Sequence, residues 1–484
     1  MMPEKIKTDL TTIVGEDNVT DSLFERRLYD HDIAPLPPEI SVIFKTLPDV
    51  VVKPRKVEEV SQIVKYANEN RIPIIPRGAS SWGYGGTIPT NGGIVLELTE
   101  LKKILDLDEE KMTVTVEAGL RWKNLLGYLA EQGFTVSVYP SSVPSATIGG
   151  WIATGGLGIG SLKYGHLREH VTKIRVVTPK GDIISLSREE ENESESLFDS
   201  FFGSEGTLGV ITEATLRIHP VPEVISPQLV SFDDLKTMVD VIVKVVERQT
   251  RPFFIEIQDR ECLEIKRSIG SSAPDVAALA LFVFEGPREQ VQKDAAFLKN
   301  LIHEVGGDML PHERAVEEWD ERFYPMKIRK AGPTLLAGEV TIPIPKLQYA
   351  MDETRRIRER YDLRMGIKCF IVSEDTVLFM PMYLADERER WKFMSLLPVA
   401  NEITAVGLKA GGRPYGFGIW NSFYLRDVYG DARVREMKER KKRLDPNNIM
   451  NPGKLYQVKT KFGFPLWGSV YKLLTSLLGI LRYF

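Results

Sequence analysis

Two glycine-rich segments carry the residue types that could hold a phosphate. In Pro76–Gly86, PRGASSWGYGG, the residues Gly78, Gly83, Gly85 and Gly86 leave the backbone bare, and Ser80 and Ser81 can donate hydroxyls. Glycine allows several N–H groups to converge on an anion, with the positive φ angles that such a nest requires. In Pro140–Gly156 the hydroxyls of Ser141, Ser142, Ser145 and Thr147 precede the pairs Gly149-Gly150 and Gly155-Gly156. A third piece, FFGSEGTLGVITEATLRIHP, runs from a glycine turn into a β-branched strand. No GK[ST] follows either loop and neither opens as GxGxxG, so neither a Walker site nor a Rossmann site is indicated. Segments about sixty residues apart suit a long diphosphate cofactor lying across one domain.

Other chemistries are excluded by what the chain lacks. Cys262 and Cys369 are its only cysteines, which leaves no disulfide scaffold and no iron–sulfur cluster bound by this chain alone. A formal charge of -4 gives no nucleic-acid footprint. The N-terminus lacks the pattern of a signal peptide, so the cytoplasm is expected, with the inner face of the membrane as a possible station. All six histidines, the last being His312, lie in the first two thirds of the chain.

The elements that must position the loops follow from periodicity. With 484 residues, two or three compact units are expected. After a polar, helix-like opening (residues 1–46), Val50–Lys53 reads as a strand, Val57–Glu69 as an amphipathic helix and Ile72–Pro76 as a second strand, delivering the first loop. Strands are expected at Gly93–Leu98, Met112–Glu117 and Gly209–His219, a helix at Trp122–Glu131, and a hairpin around Pro179-Lys180-Gly181. Beyond about residue 226, strand-like runs (Phe253–Gln258, Ala278–Glu285, Leu335–Ile342, Thr376–Tyr383) alternate with charged helices such as Pro287–Val305. That pattern predicts an antiparallel sheet with helices on one face. The fold class is therefore α+β.

PRGASSWGYGG, YPSSVPSATIGG, GSEGTLGVITE and LDPNNIMNPGK together resemble the FAD-binding (PCMH-type) domain of the vanillyl-alcohol oxidase / p-cresol methylhydroxylase superfamily, with a nearer likeness to its glycolate oxidase and D-lactate dehydrogenase branch. The stretch from TIGGWIATGGLG to HPVPE is also similar to alkylglycerone-phosphate synthase. The resemblance implies a two-subdomain FAD-binding domain at 47–226, a cap or substrate domain at 227–443, a return segment at 444–459 and a tail at 460–484. It implies that Pro76, Arg77, Gly78, Ala79, Ser80, Gly85 and Gly86 bind the FAD pyrophosphate, with Ser81 beside them. Pro140, Ser141, Ser142, Thr147, Gly149, Gly150 and Thr154 would line the flavin and ribityl chain; Glu205, Gly209, Val210 and Ile211 would reach the adenine side, and Asn451 would also bind the cofactor. Relatives with covalent flavin place a histidine where Ser80-Ser81-Trp82 stand here, so noncovalent FAD is expected.

In the cap the pattern breaks. The 2-hydroxy-acid branch carries histidines in two segments that hold a metal or abstract a proton; here those segments read RMGIKCFIVSEDTVLFMPMY and AVGLKAGGRPYGFGIWNS, without histidine. The triple-histidine segment of alkylglycerone-phosphate synthase is missing too, and no metal site is expected. Arg329 aligns loosely with the family's carboxylate-binding arginine, and Arg413 sits in a glycine-flanked turn where the family places active-site residues. Tyr415 and Glu339 are conceivable proton acceptors. Against all four stands the ordinary fate of such residues, a solvated surface charge or a core tyrosine. His166 reads as structural rather than as a base.

The resemblance implies hydride transfer from a small-molecule 2-hydroxy acid such as D-lactate or glycolate to flavin, and onward transfer to a separate iron–sulfur or electron-transfer partner or a quinone. The alternatives are a flavin relay subunit without its own hydroxy-acid chemistry, and an ether-lipid-type synthase. In the tail, Pro465 can start a helix with Leu466, Val470, Leu473, Leu474, Leu477 and Leu481 on one face and Ser469, Lys472, Ser476 and Arg482 on the other. Such a helix, with Trp467, Tyr471 and Tyr483 as anchors, suits peripheral membrane contact, a partner subunit, or packing on its own domain.

Overall fold

A computed structural model of the chain describes residues 3–34, 36, 39–188, 196–323, 325–466 and 468–479. The helix Val57–Asn70 forms because Val57, Val60, Ile63, Val64 and Ala67 recur on one face, and all of them are buried. It packs over a small sheet in which Val50–Val52 and Ile74–Arg77 flank Ile94–Glu97 in parallel. The opening residues are not a separate unit. Ile6, Leu10 and Val14 of the helix Pro3–Val14 enter the same core, and Val19–Thr20 pairs with Val51 and Val52.

A second sheet runs Ile104–Asp108, Thr113–Glu117, Val210–Arg217, Val171–Val177, Ile183–Ser187, with the expected hairpin around Gly181 at its edge. The helix Ile148–Thr154 and the start of Val210–Arg217 leave this subdomain towards the first, so both glycine-rich segments meet at the seam between the two sheets.

The cap is a nine-stranded antiparallel sheet, and its first long strand, Val224–Phe232, starts ahead of the expected boundary at 227. Alternation along Ala278–Gly286 shows how it is placed. Ala278, Ala280 and Phe282 face the helices Leu235–Val246, Arg288–Val305, Leu347–Tyr361 and Leu397–Lys409, whereas Leu279, Leu281 and Val283 join the core of the N-terminal half. The run expected as one strand over Leu335–Ile342 is instead two, Thr334–Ala337 and Val340–Pro343. The break falls at Gly338-Glu339 because the helix Leu397–Lys409 comes close there; a Cβ on Gly338 would lie 2.5 Å from Ile403 Cγ2.

The chain then returns. Asn451 N–H donates to the Ile74 carbonyl and Ile74 N–H to the Ile449 carbonyl, both at 2.7 Å, adding the return segment to the edge of the small sheet. The tail helix spans Gly468–Leu478 rather than beginning at Pro465, which pairs with Lys459 instead. It packs on Leu397–Lys409, and Tyr471 stacks on Phe423 with ring centroids 4.1 Å apart. Leu473 and Leu477, expected on the apolar packing face, are exposed. Trp467, Leu481, Arg482 and Tyr483 lie outside the described residues, as do the side chains of Val470, Lys472 and Leu474. Among the described residues no helix is long and apolar enough to cross a membrane.

Buried charge fixes the return segment. Asp445, with no side-chain exposure, pairs with the buried Lys441 and accepts from the N–H groups of Ile449 and Met450 at 3.0 and 2.8 Å. Lys441 Nζ also donates to the carbonyls of Thr207 and Met450. Asp445→Ala would strand the ammonium, so a loss of about 3 kcal/mol is expected in urea unfolding; an unchanged midpoint would refute this account.

Candidate functional site

A cavity of about 440 Å³ opens along the seam between the FAD-binding half and the cap. Its first wall is the pair of glycine-rich segments with the turn Ser204–Gly206. Thr147 closes the start of the helix Ile148–Thr154 by accepting from Gly150 N–H at 3.3 Å. Its Oγ1 would lie 2.3 Å from a Cβ on Gly78, and a Cβ on Gly149 would lie 2.7 Å from Ala118 Cβ. Only glycine fits at these two crossings, which bring bare backbone from both segments to one surface. Ser80, at φ +52°, meets Thr87 with the hydroxyl oxygens 2.6 Å apart.

The wall contains Pro76, Arg77, Gly78, Ala79, Ser80, Ser81, Gly86, Pro140, Ser141, Ser142, Thr147, Gly149, Gly150, Thr154, Glu205, Gly209 and Ile211. Gly85, Val210 and Asn451 stand behind it. Gly85, at φ +80°, donates its N–H to Asp32 at 2.6 Å, and Val210 is core. The Asn451 amide donates to the carbonyls of Gly86 and Glu205 at 2.8 and 2.7 Å, clamping two loops together. Arg77 supplies backbone to the wall, while its guanidinium turns away to the His31 carbonyl at 2.8 Å.

Three buried ionisable groups brace this wall. Glu205, at φ +51°, accepts from the N–H groups of Phe417 and Gly418 at 2.9 and 2.8 Å, and burial pushes its carboxyl up to about 7. Burial likewise raises Asp32 to about 6 and lowers Lys454 to about 7. Asp32 and Lys454 were not anticipated as site residues. A lone buried charge leaves no periodic trace, although Lys454 ends the recognisable LDPNNIMNPGK.

The second wall comes from the cap. The break between the two strands exposes Glu339 to the cavity, where Trp82 Nε1 donates to Oε2 at 2.8 Å. Burial raises the Glu339 carboxyl to about 6, and the Trp82 bond only partly opposes it. Tyr415 is also on the wall and gives its N–H to the Glu339 carbonyl at 3.0 Å. Its hydroxyl bonds both the N–H and the carbonyl of Leu157 at 3.2 Å, and burial pushes it up to about 12. It stays a phenol that ties cap to cradle.

The two arginines are not brought to the site. Arg329 is exposed on the 3₁₀ stretch Pro325–Ala331, donating to the Pro333 carbonyl at 3.4 Å. Arg413 is exposed on the two-residue edge strand Arg413–Pro414. His166 precedes the short helix Leu167–His170, off the cavity wall. On the cap sheet, Lys368, Phe370, Leu378, Met380 and Met382 face the cavity. Lys368 is ion-paired with Glu256 at 2.8 Å. Among the described residues no group of three or more His, Cys, Asp or Glu could hold a metal ion.

The cradle fits a dinucleotide: bare glycine backbone, the hydroxyls of Ser80, Ser141, Ser142 and Thr154, and the unpartnered buried hydroxyl of Ser204 all belong to one wall. Gly78→Val would push Thr147 out of that wall. The FAD content of the purified protein, read from its visible absorption, is expected to fall at least about tenfold; full occupancy would contradict the crossing.

Comparison with known proteins places these features. Residues 48–187 match the FAD binding domain family, and residues 221–455 match the family of FAD linked oxidases, C-terminal domain. The glycolate oxidase subunit GlcD of Bacillus subtilis is 28% identical over 471 residues, 94% of this chain and 97% of that protein. A D-lactate dehydrogenase of Anaerostipes hadrus is 28% identical over 437 residues, 86% of this chain and 91% of that protein. In structure, p-cresol methylhydroxylase superposes with a TM-score of 0.81 at 18% identity, covering 94% of this chain and 97% of its own. An alkyldihydroxyacetonephosphate synthase gives 0.72 at 21% identity, covering 93% and 84%. With both models matched in order, the chain carries an FAD binding domain followed by the C-terminal domain of FAD linked oxidases, and it is an FAD-dependent oxidoreductase.

Proposed function

We propose that this chain is a dehydrogenase that oxidises the hydroxyl-bearing carbon of a 2-hydroxy acid and passes the electrons to a separate acceptor. The observation that carries the reading is Glu339, a half-buried carboxylate on the cavity wall that, among the described residues, has Trp82 as its one side-chain hydrogen-bond donor and no cation beside it. FAD bound in the cradle supplies the hydride acceptor. Glu339 takes the substrate's hydroxyl proton as the hydrogen on the same carbon leaves with its electron pair, so an alcohol becomes a carbonyl. Trp82 fixes the carboxylate's direction, and the Tyr415–Leu157 contacts hold the cap against the cradle. The relatives named for glycolate and D-lactate support the 2-hydroxy-acid class.

Electrons leave through a partner or a quinone on this reading, which is supported by the burial of Cys262 and Cys369 in the cap and by the absence, among the described residues, of any group that could hold a metal. Noncovalent attachment is supported by Ser80, Ser81 and Trp82 in the first loop and by the absence of histidine and cysteine from the described cavity wall. Acid precipitation is expected to leave all the flavin in the supernatant; yellow pelleted protein would refute noncovalent binding.

Glu339 must be ionised to act, and its raised pKa moves the acid limb from the ordinary carboxylate range to about 6. The kcat/KM is therefore expected to rise with pH up to about 6 and then level. Glu339→Gln is expected to retain FAD, to lose about 100-fold or more in kcat/KM and to lose that limb. An unchanged profile would remove Glu339 from the reaction. Absence of anaerobic flavin bleaching by every 2-hydroxy acid would instead favour a relay subunit reduced through its partner.

A further inference from the structure

Among the described residues, those with charge on the cavity wall are Arg77, Glu205, Glu339 and Lys368. Three of them are committed elsewhere. Arg77 serves the His31 carbonyl, Glu205 serves the Phe417 and Gly418 N–H groups, and Lys368 is paired with Glu256 at 2.8 Å. That pair extends away from the cavity through Gln258 to Glu318 and Lys266, a balanced and buried network. Arg329 and Arg413 are both outside. Among the described residues of this wall, a three-carbon acid would find no uncommitted cation.

Beyond the hydroxyl-bearing cradle, the cap and tail side of the wall is mainly apolar. The cavity continues among Leu336, Phe393, Leu397 and Ala400 of the cap, and Leu466 and Leu478 of the tail close it. Ile40 and Phe44 of the N-terminal segment line the same space. Three separate stretches of chain therefore converge on one hydrophobic chamber, and the tail helix contributes Tyr471 to it while holding its place by the stack on Phe423. A chamber of this composition rewards methylenes: each one buried strengthens binding about fourfold.

Building on the hydroxyl-oxidising reading above, we infer that the substrate carries a long apolar chain, of about eight carbons or more, which lies in this chamber while the hydroxyl-bearing carbon sits between Glu339 and the cradle. Binding is driven by burial of the chain, and the C-terminal tail is part of the substrate site.

The test uses the full-length FAD-loaded protein and two series. The first is binding of butan-2-one against decan-2-one, ketones with no hydride to give, followed by the flavin absorption band and by thermal shift. Decan-2-one is expected to bind at least tenfold more tightly, and in Ala400→Trp, which fills the chamber, that preference should vanish with FAD content retained. Equal affinities in the unaltered protein, or a preference that persists in Ala400→Trp, would overturn the assignment; the first comparison stands even where the variant does not fold. The second series is anaerobic reduction by both enantiomers of lactate and 2-hydroxydecanoate. If decan-2-one binds tightly and neither acid bleaches the flavin, the hydroxy-acid reading fails while the chamber stands. If lactate bleaches as efficiently as 2-hydroxydecanoate, and ketone length has no effect, the reading stands and the chamber fails.

Discussion

The cofactor cradle depends on one buried junction around Glu205. Its carboxylate takes two N–H groups from the cap, its carbonyl takes the Asn451 amide from the return segment, and the same amide holds Gly86 of the first loop. Four stretches that are far apart in sequence therefore meet at one residue. A carboxylate buried this deeply is costly, as its rise to about 7 shows, and the two backbone donors offset that cost only in this geometry. The consequence is order of assembly: the two glycine-rich segments lie in the first third of the chain, yet their final shape waits for residues 417, 418 and 451. Lys454 reinforces this, donating from the same returning segment to the Ile88 carbonyl beyond the first loop.

The cradle was largely legible because glycine spacing reports backbone, and backbone is what a phosphate nest uses. Gly78 and Gly149 stand where another segment passes too close for a Cβ, a constraint that shows in the residue type itself. The cap sheet was legible for a similar reason, since runs such as Ala278–Glu285 are apolar on both faces and must be covered on both. Side-chain direction was not legible. Arg329 and Arg413 were placed near the site by loose likeness of segment, and likeness of segment says nothing of which way a guanidinium points. Glu339 faces the cavity because the helix Leu397–Lys409 breaks a strand at Gly338, an event decided by packing from more than sixty residues away. The tail shows the same limit: helical spacing marks an apolar stripe, but in the structure Leu473 and Leu477 face outward while Tyr471 and Leu478 reach the cavity.

Charge accounting explains how one cavity can be both apolar and reactive. Among the described residues, every charged group on its wall except Glu339 is satisfied by a partner that belongs to the fold, so the space itself is left with a low dielectric. That condition raises the Glu339 pKa, because nothing nearby stabilises its anion except Trp82. The same condition makes the remainder of the wall a place where a carboxylate gains little and a hydrocarbon gains much. The raised Glu339 pKa and the apolar chamber thus have a common cause. A cation introduced to grip a small acid beside Glu339 would pull its pKa back towards the ordinary carboxylate range and weaken it as a base, so in this cavity chain burial is the form of substrate binding compatible with the proposed proton acceptor.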